Sequence, residues 1–199
     1  MNILVACEET GIVRDALIAR GHRAVSCDLK PSQRPGPHLQ DDVRNWLNYR
    51  WDMLIAHPVC RRLSNAGVRW LHERPELWQE MLDGVEFFKL FIGPAVQHIP
   101  KRCVENPIMH RHAFERIGRR ADQFVHPWWF GSPFQKATGL FLDGLPPLPR
   151  EFTKAWYAAH GVTIEQAVWK MPPSDDREQK RSETDPQVAR AMAQYWGVL

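Results

Sequence analysis

Short apolar runs of strand length alternate along the first half of the chain with stretches of helical spacing, and each run stops on a polar or chemically reactive residue. NILVAC, residues 2–7, ends at a thiol, and HRAVSCDLKP carries a second β-rich run to the carboxylate of Asp28. WDMLIAHPVC gives a third strand halted by Pro58, and KRCVENP a fourth with Glu105 and Asn106 at its carboxyl end. Between the first two runs, Ile12, Ala16, Leu17 and Ile18 recur at helical spacing before a stopping Gly21. From Arg74 to Ile92 the residues Leu77, Met81, Val85 and Phe88 fall on one stripe, with Pro75 at the expected first turn. Strands that alternate with helices predict a mostly parallel sheet flanked by helices, and such sheets bind ligands at the carboxyl ends of their strands.

The pattern continues with a helix from roughly Met109 to Gly118, then two strands in DQFVHPWW and FGSPFQKATGLFLDGLPPLP, linked by a turn-rich loop around Gly131 and Pro133. Residues from about 145 to 184 hold several prolines and little periodicity, and DPQVARAMAQYWG closes as a helix capped by Asp185 with Pro186 in its first turn. With 199 residues, 44% hydrophobic and 25% charged, the chain suits a single domain over 1–199, with 143–184 as an irregular cap or partner-binding segment. The opening MNILVACEET has an acidic pair where a signal peptide needs an apolar core, and no long apolar run follows, so a soluble cytoplasmic protein without a membrane partner is expected. A net charge of +3 permits a nucleic-acid partner without establishing one. Cys7, Cys27, Cys60 and Cys103 form no CxxC pair, which favours neither a disulfide framework nor a zinc site.

Two constellations carry chemistry. The CEETGIV turn after the first strand, Asp28 after the second and Asp41–Asp42 further on match the order in which a nucleotide-type fold meets an adenosyl ligand; the alternative is a tight turn with solvated carboxylates. Cys60 and Glu105 place a thiol after one strand and a carboxyl at the end of another. Such a pair can attack and protonate a pyrimidine, provided the carboxyl keeps its proton in a poorly solvated pocket. Taken singly, each has a bland reading as an inert thiol or a satisfied acid. Arg61 and Arg62 follow the thiol, Arg69 lies with Trp70, and Arg116, Arg119 and Arg120 come before Trp128 and Trp129; cations and aromatics in this pattern hold phosphates and stack bases, or form solvated faces over a core. His57, alone before a proline, has no partner spacing for zinc, and no metal is expected.

The motifs in this order resemble the cytosine-C5 DNA methyltransferases, particularly short phage-type members. ILVACEETGIVRDALIARGH is similar to the first cofactor motif, AVSCD to the second and DDVR to the third; IAHPVC resembles the Pro-Pro-Cys motif, VENP the Glu-Asn motif and FGSPFQKATGLFL the Gln-centred motif. The resemblance implies a Rossmann-like methyltransferase fold that binds S-adenosylmethionine through Cys7, Glu8, Thr10, Gly11, Asp28, Asp42, Val43 and His57. It further implies that Cys60 adds to carbon 6 of cytosine, that Glu105 contacts the ring nitrogen and amine while holding a proton, and that Asn106 braces the nucleophile strand. Arg61, Arg62, Ser64, Gln135 and Lys136 are the implied substrate contacts, and the setting is the cytoplasm of a bacterial host cell if the chain is phage-encoded.

The chain departs from that pattern in four places. Val59 replaces a proline, the first turn has only Gly11, and the FQKATG segment has no arginine at the usual places after Gln135, where Lys136 and Thr138 stand instead. Only about forty residues separate Leu142 from the last helix, too few for a separate base-reading domain. Three readings therefore stand open: methylation of cytosine in DNA, the same chemistry on a free deoxycytidine nucleotide or RNA, and a non-catalytic relative that binds nucleic acid or a protein partner.

Overall fold

A computed structural model, describing residues 1–65, 68–166 and 183–198, turns the alternation into one seven-stranded sheet. The strands are β1 (Asn2–Ala6), β2 (Arg23–Asp28), β3 (His38–Gln40), β4 (Met53–Ala56), β5 (Lys101–Pro107), β6 (Gln123–Val125) and β7 (Thr138–Asp143), in the spatial order β3-β2-β1-β4-β5-β7-β6. Neighbours from β3 to β5 are parallel, whereas β7 runs antiparallel to both β5 and β6. This is the expected Rossmann-like α/β arrangement, with the switch in strand order between β1 and β4. The helices are α1 (Ile12–Ile18), α2 (Val68–Glu73), α3 (Leu77–Leu90), α4 (Arg111–Ile117), α5 (Lys154–Ala159) and α6 (Pro186–Trp196). None is long and apolar enough to cross a membrane.

Side chains that alternate along each strand divide the core into two layers. Ile3, Val5, Met53 and Ile55 pack against Leu17 of α1 and Met192 and Trp196 of α6. Leu4, Leu54 and Val104 face the other way, onto Met81, Val85 and Phe88 of α3. All four residues of β4 are buried, as a central parallel strand covered on both faces requires. The stripe foreseen on α3 is the one it buries, Leu77, Met81, Val85 and Phe88, although Pro75 precedes the helix. The Asp185 carboxylate caps α6 by accepting from the N–H groups of Gln187 and Val188 at 2.9 and 3.2 Å.

The structure departs from the sequence reading in three elements. Residues 38–40, inside a proline-rich loop, pair with β2 as the edge strand β3, and α5 lies within the stretch read as aperiodic. On α1, Ile18 is 39% exposed, while the charged Arg14 is fully buried. Its guanidinium reaches the hydroxyls of Ser26 and Ser32 at 3.1 and 3.0 Å and the Pro35 carbonyl at 3.1 Å, pinning the loop after β2 to the helix. An apolar-periodicity argument has no means of finding a buried cation satisfied by a distant loop.

Candidate active site

The site is assembled where β1, β4 and β5 end. Register pairs Ala56 of β4 with Val104 of β5, so the next residue of each strand, His57 and Glu105, come side by side. His57 Nδ1 and Glu105 Oε2 lie 2.5 Å apart, and their side chains are 13% and 9% exposed. Thr184, immediately before the cap of α6, donates from Oγ1 to the same carboxylate oxygen at 3.1 Å. Burial alone would raise the Glu105 pKa, but the His57 charge and hydrogen bond, with Lys136 and the Thr184 hydroxyl, pull it down to about 2. Burial opposes the charged form of His57 too, and the attraction and hydrogen bond of Glu105, with help from Glu8, raise its pKa instead.

Burial favours the proton expected on Glu105, and the His57 contact works against it. The contact favours a carboxylate beside an imidazolium, lowering the Glu105 pKa and raising that of His57. His57 Nε2 is buried without a hydrogen-bond partner among the described residues.

The thiol lies in the loop that follows. Cys60 is half-buried, and its carbonyl accepts from the N–H groups of Leu63 and Ser64 at 3.0 and 3.1 Å, curling the chain back. Asn106 Nδ2 donates to the Pro107 carbonyl at 2.7 Å, and its Oδ1 is buried without a hydrogen-bond partner among the described residues. The brace comes from residues just beyond β5. The Asn65 N–H donates to the Ile108 carbonyl and the His110 N–H to the Leu63 carbonyl, both at 3.0 Å, and His110 Nε2 lies 2.7 Å from the Arg62 carbonyl. Ser64 bridges Met109 in the same crossing. Sequence reasoning missed His110 and Thr184; a histidine directly before α4 and a threonine before the Asp185 cap were the available signals.

The proposed acceptor contacts are only partly gathered. Arg62 is turned away, its Nε 2.8 Å from Glu80 on α3, whereas Arg61 is exposed beside the thiol. Lys136 donates to the Glu183 carbonyl at 2.5 Å and lies close enough to the His57–Glu105 pair to influence both. The Gln135 N–H donates to the Glu165 carbonyl at 2.7 Å. Arg116, Arg119 and Arg120 do not meet Trp128 and Trp129: Arg116 lies over Trp78, Arg120 over Phe114, and Arg119 pairs with Asp122 and Asp143. The cations there are Arg150, at 5.2 and 4.3 Å from Trp128 and Trp129, and Lys154, at 5.8 Å from Trp128.

At the neighbouring ends of β1 and β2 the adenosyl residues are arranged unevenly. Asp28 ends β2 with a part-exposed carboxylate whose Oδ1 accepts from the Lys30 N–H at 2.9 Å, which leaves a face suited to ribose hydroxyls. Cys7 has a left-handed φ of 58°, and burial together with the nearby Asp28 pushes its thiol pKa far up, so it is a neutral lining group. Asp42 caps a short turn and pairs with Arg44, and the Val43 side chain is buried in the core, so neither presents a free side chain to an adenine. Gly11, at φ 71°, turns the chain into α1. Glu8 and Thr10 face inward: the Glu8 carboxylate accepts from the Val13 and Arg14 N–H groups at 2.6 and 3.3 Å, and Thr10 Oγ1 from the Ile12 N–H at 3.4 Å.

The residues thus fit S-adenosylmethionine in part. Asp28 suits the ribose, whereas the buried Glu8 carboxyl, whose charge would suit a ligand cation, is engaged by the N–H groups of α1. A ligand carboxylate finds the α1 donors already taken by Glu8. Among the described residues, no group of three or more His, Cys, Asp or Glu is placed to hold a metal. An open cleft of about 780 Å³ lies at the opposite ends of β1 and β2, where Arg23, Tyr49, Arg50 and Trp51 line it. It holds no nucleophile and no carboxylate, and the reactive groups belong to the carboxyl edge.

No protein-family model matches the chain, and no curated protein matches it. Among solved structures it is similar to a prophage-encoded Escherichia coli protein assigned as a DNA modification methyltransferase, with 13% identity and a TM-score of 0.45 over 71% of this chain and 46% of that one. It is also similar to the Entamoeba histolytica methyltransferase EhMeth, at 11% identity and TM-score 0.45 over 87% and 60% of the two chains. The third is the Dnmt2 methyltransferase of Schizosaccharomyces pombe, at 13% identity and TM-score 0.45 over 84% and 53%. The chain spans about half the length of these proteins.

Proposed function

We propose that the chain is a methyltransferase that uses S-adenosylmethionine to methylate carbon 5 of cytosine in DNA, with Cys60 as the nucleophile. The observation that carries this reading is the crossing of β4 and β5. Adjacent parallel strands bring the Cys60 loop and the Glu105 carboxylate out at one edge, and the contacts of residues 62–65 with 108–110 fasten the two together. When bound, S-adenosylmethionine supplies a methyl group on a cationic sulfur, for which carbon 5 of an activated ring is the acceptor.

The chain's own residues do the activating. Cys60, as the thiolate, forms a bond to carbon 6; the electron pair of the C5=C6 bond moves into the ring, and N3 takes up a proton. Glu105 faces N3 and the exocyclic amine, orienting the ring. After transfer, loss of the carbon 5 proton to solvent and expulsion of the thiolate restore the aromatic ring and the free enzyme. In this reading 1–199 works as one domain and 143–184 caps the acceptor side; within that segment, residues 167–182 lie outside those described.

A second acceptor is favoured by one observation. Because Arg62 is held by Glu80, a phosphate contact is removed beside the thiol, which suits a free deoxycytidine nucleotide better than a duplex. Tritiated methyl transfer into duplex, single strand, RNA and dCMP in parallel separates the acceptors. Cys60→Ala abolishes transfer to each of them if the reading is right, and full turnover in that variant refutes it.

A further inference from the structure

Addition of a thiolate to carbon 6 is easy only when N3 becomes protonated, since the ring otherwise carries a full negative charge away from any cation. The group facing N3 in the proposed function is Glu105, and an ionised carboxylate has no proton to give. Its hydrogen-bond donors are His57 Nδ1 at 2.5 Å and Thr184 Oγ1 at 3.1 Å. An alcohol does not release a proton in neutral water, and Lys136 is directed to the Glu183 carbonyl. The imidazolium alone is both in contact and acidic enough.

We infer that His57 is a positioning residue that delivers, through Glu105, the proton taken up by N3 of the acceptor ring, while Thr184 fixes the carboxylate that relays it. This rests on the cytosine-directed reading above. The proton passes from His57 Nδ1 to Glu105 and from the carboxyl to N3 as the Sγ–C6 bond forms. It returns along the same route when the thiolate is expelled, so the pair ends each cycle as it began. His57 keeps a proton on Nε2 throughout and becomes a neutral imidazole in between. That buried Nε2 makes no hydrogen bond among the described residues, so no partner ties the ring to its charged form on that side.

The charge of the ring is set from every side of the site. Glu105 on β5 and Glu8 in the turn after β1 favour the imidazolium, whereas burial and Lys136, ahead of β7, oppose it. The balance raises the His57 pKa above its ordinary value, so the relay is loaded at neutral pH and empties as the solution becomes alkaline.

Single-turnover transfer of tritiated methyl from S-adenosylmethionine to a cytosine-containing single strand and to dCMP, followed from about pH 6 to about pH 9, tests the relay. For the wild type the rate rises with the Cys60 thiolate at lower pH and drops about tenfold per unit below that rise once His57 deprotonates. His57→Gln lowers the rate about a hundredfold and removes that alkaline fall, with the KM for the cofactor unchanged. Thr184→Val takes a hydrogen bond from the carboxylate, makes the pair hold its proton more tightly and moves the fall to higher pH; it also decides the matter should His57→Gln fail to fold. A wild-type rate that follows the Cys60 thiolate alone across the range, a His57→Gln variant that keeps both rate and profile, or an unmoved fall in Thr184→Val each overturns the relay. Wild-type inactivity on every cytosine acceptor instead overturns the functional reading on which it rests.

Discussion

Replacing Arg14 with methionine removes a fully buried guanidinium whose partners are Ser26, Ser32 and the carbonyls of Arg34 and Pro35, with Asp15 at its margin. Hydrogen bonds from a charged group are worth about 1.5–3 kcal/mol each, but methionine also relieves the desolvation of a buried cation and the loop side can rehydrate, so the net loss is about 2–3 kcal/mol. The sharper test couples this change to Gly11. A Cβ at that position would sit 2.4 Å from Arg14 Nη2, and the backbone is at φ 71°. Gly11→Ala alone therefore carries a left-handed backbone cost of roughly 1–2 kcal/mol together with displacement of the pinned guanidinium, on the order of another 1–2 kcal/mol. In the Arg14→Met background only the first cost remains. Urea unfolding of the four proteins, read by tryptophan fluorescence, should give a double variant more stable than the sum of the single losses by about 1–2 kcal/mol. Additivity to within about 0.5 kcal/mol, or a loss below about 1 kcal/mol for Arg14→Met alone, refutes the account.

Three further outcomes are expected. Because the Glu105 pKa is lowered from 4.5 to about 2, its contribution to stability is present above pH 4.5 and is lost as the pH falls toward 2. The His57 contribution has the opposite sense: it is complete below its ordinary 6.5 and disappears as the pH rises through its raised value, so a plot of melting temperature against pH shows two losses, and Glu105→Gln flattens both. Asp185→Ala, which deletes the cap of α6 and the acceptor of the Ser132 hydroxyl at 2.9 Å, lowers stability by about 1–2 kcal/mol in thermal unfolding. With iodoacetamide near neutral pH, mass spectrometry finds Cys60 alkylated first and the fully buried Cys103 only on unfolding; faster labelling of Cys7, whose thiol burial holds neutral, contradicts the assigned environments.

Much of the fold was legible because strand and helix periods differ and polar residues mark the strand ends. The run NILVA, the stripe Leu77, Met81, Val85 and Phe88, and the Asp185–Pro186 start of α6 needed only local rules. The edge strand β3 escaped because its three residues among prolines show no alternation, and its pairing is decided by β2. In the site, the strand-end placement of Cys60 and Glu105 was readable, but the charge of Glu105 was not. That charge depends on His57 lying beside it in the sheet and on Thr184 arriving from 79 positions further along the chain. A histidine read alone before a proline looks structural; beside a buried carboxylate it is half of an ion pair. Likewise Glu8 and Arg62 carry suitable chemistry for ligands, yet hydrogen bonds to α1 and an ion pair to α3 occupy them, and only three-dimensional neighbours reveal that.

The stitching of residues 62–65 to 108–110 has a consequence for anyone transplanting this chemistry. The loop bearing the thiol borrows its shape from backbone groups past the end of β5, so a graft of IAHPVC into another scaffold would arrive unsupported unless PIMH travelled with it. The heritable module is accordingly two separated stretches of chain, and a recombination point chosen between them would divide a working part in half.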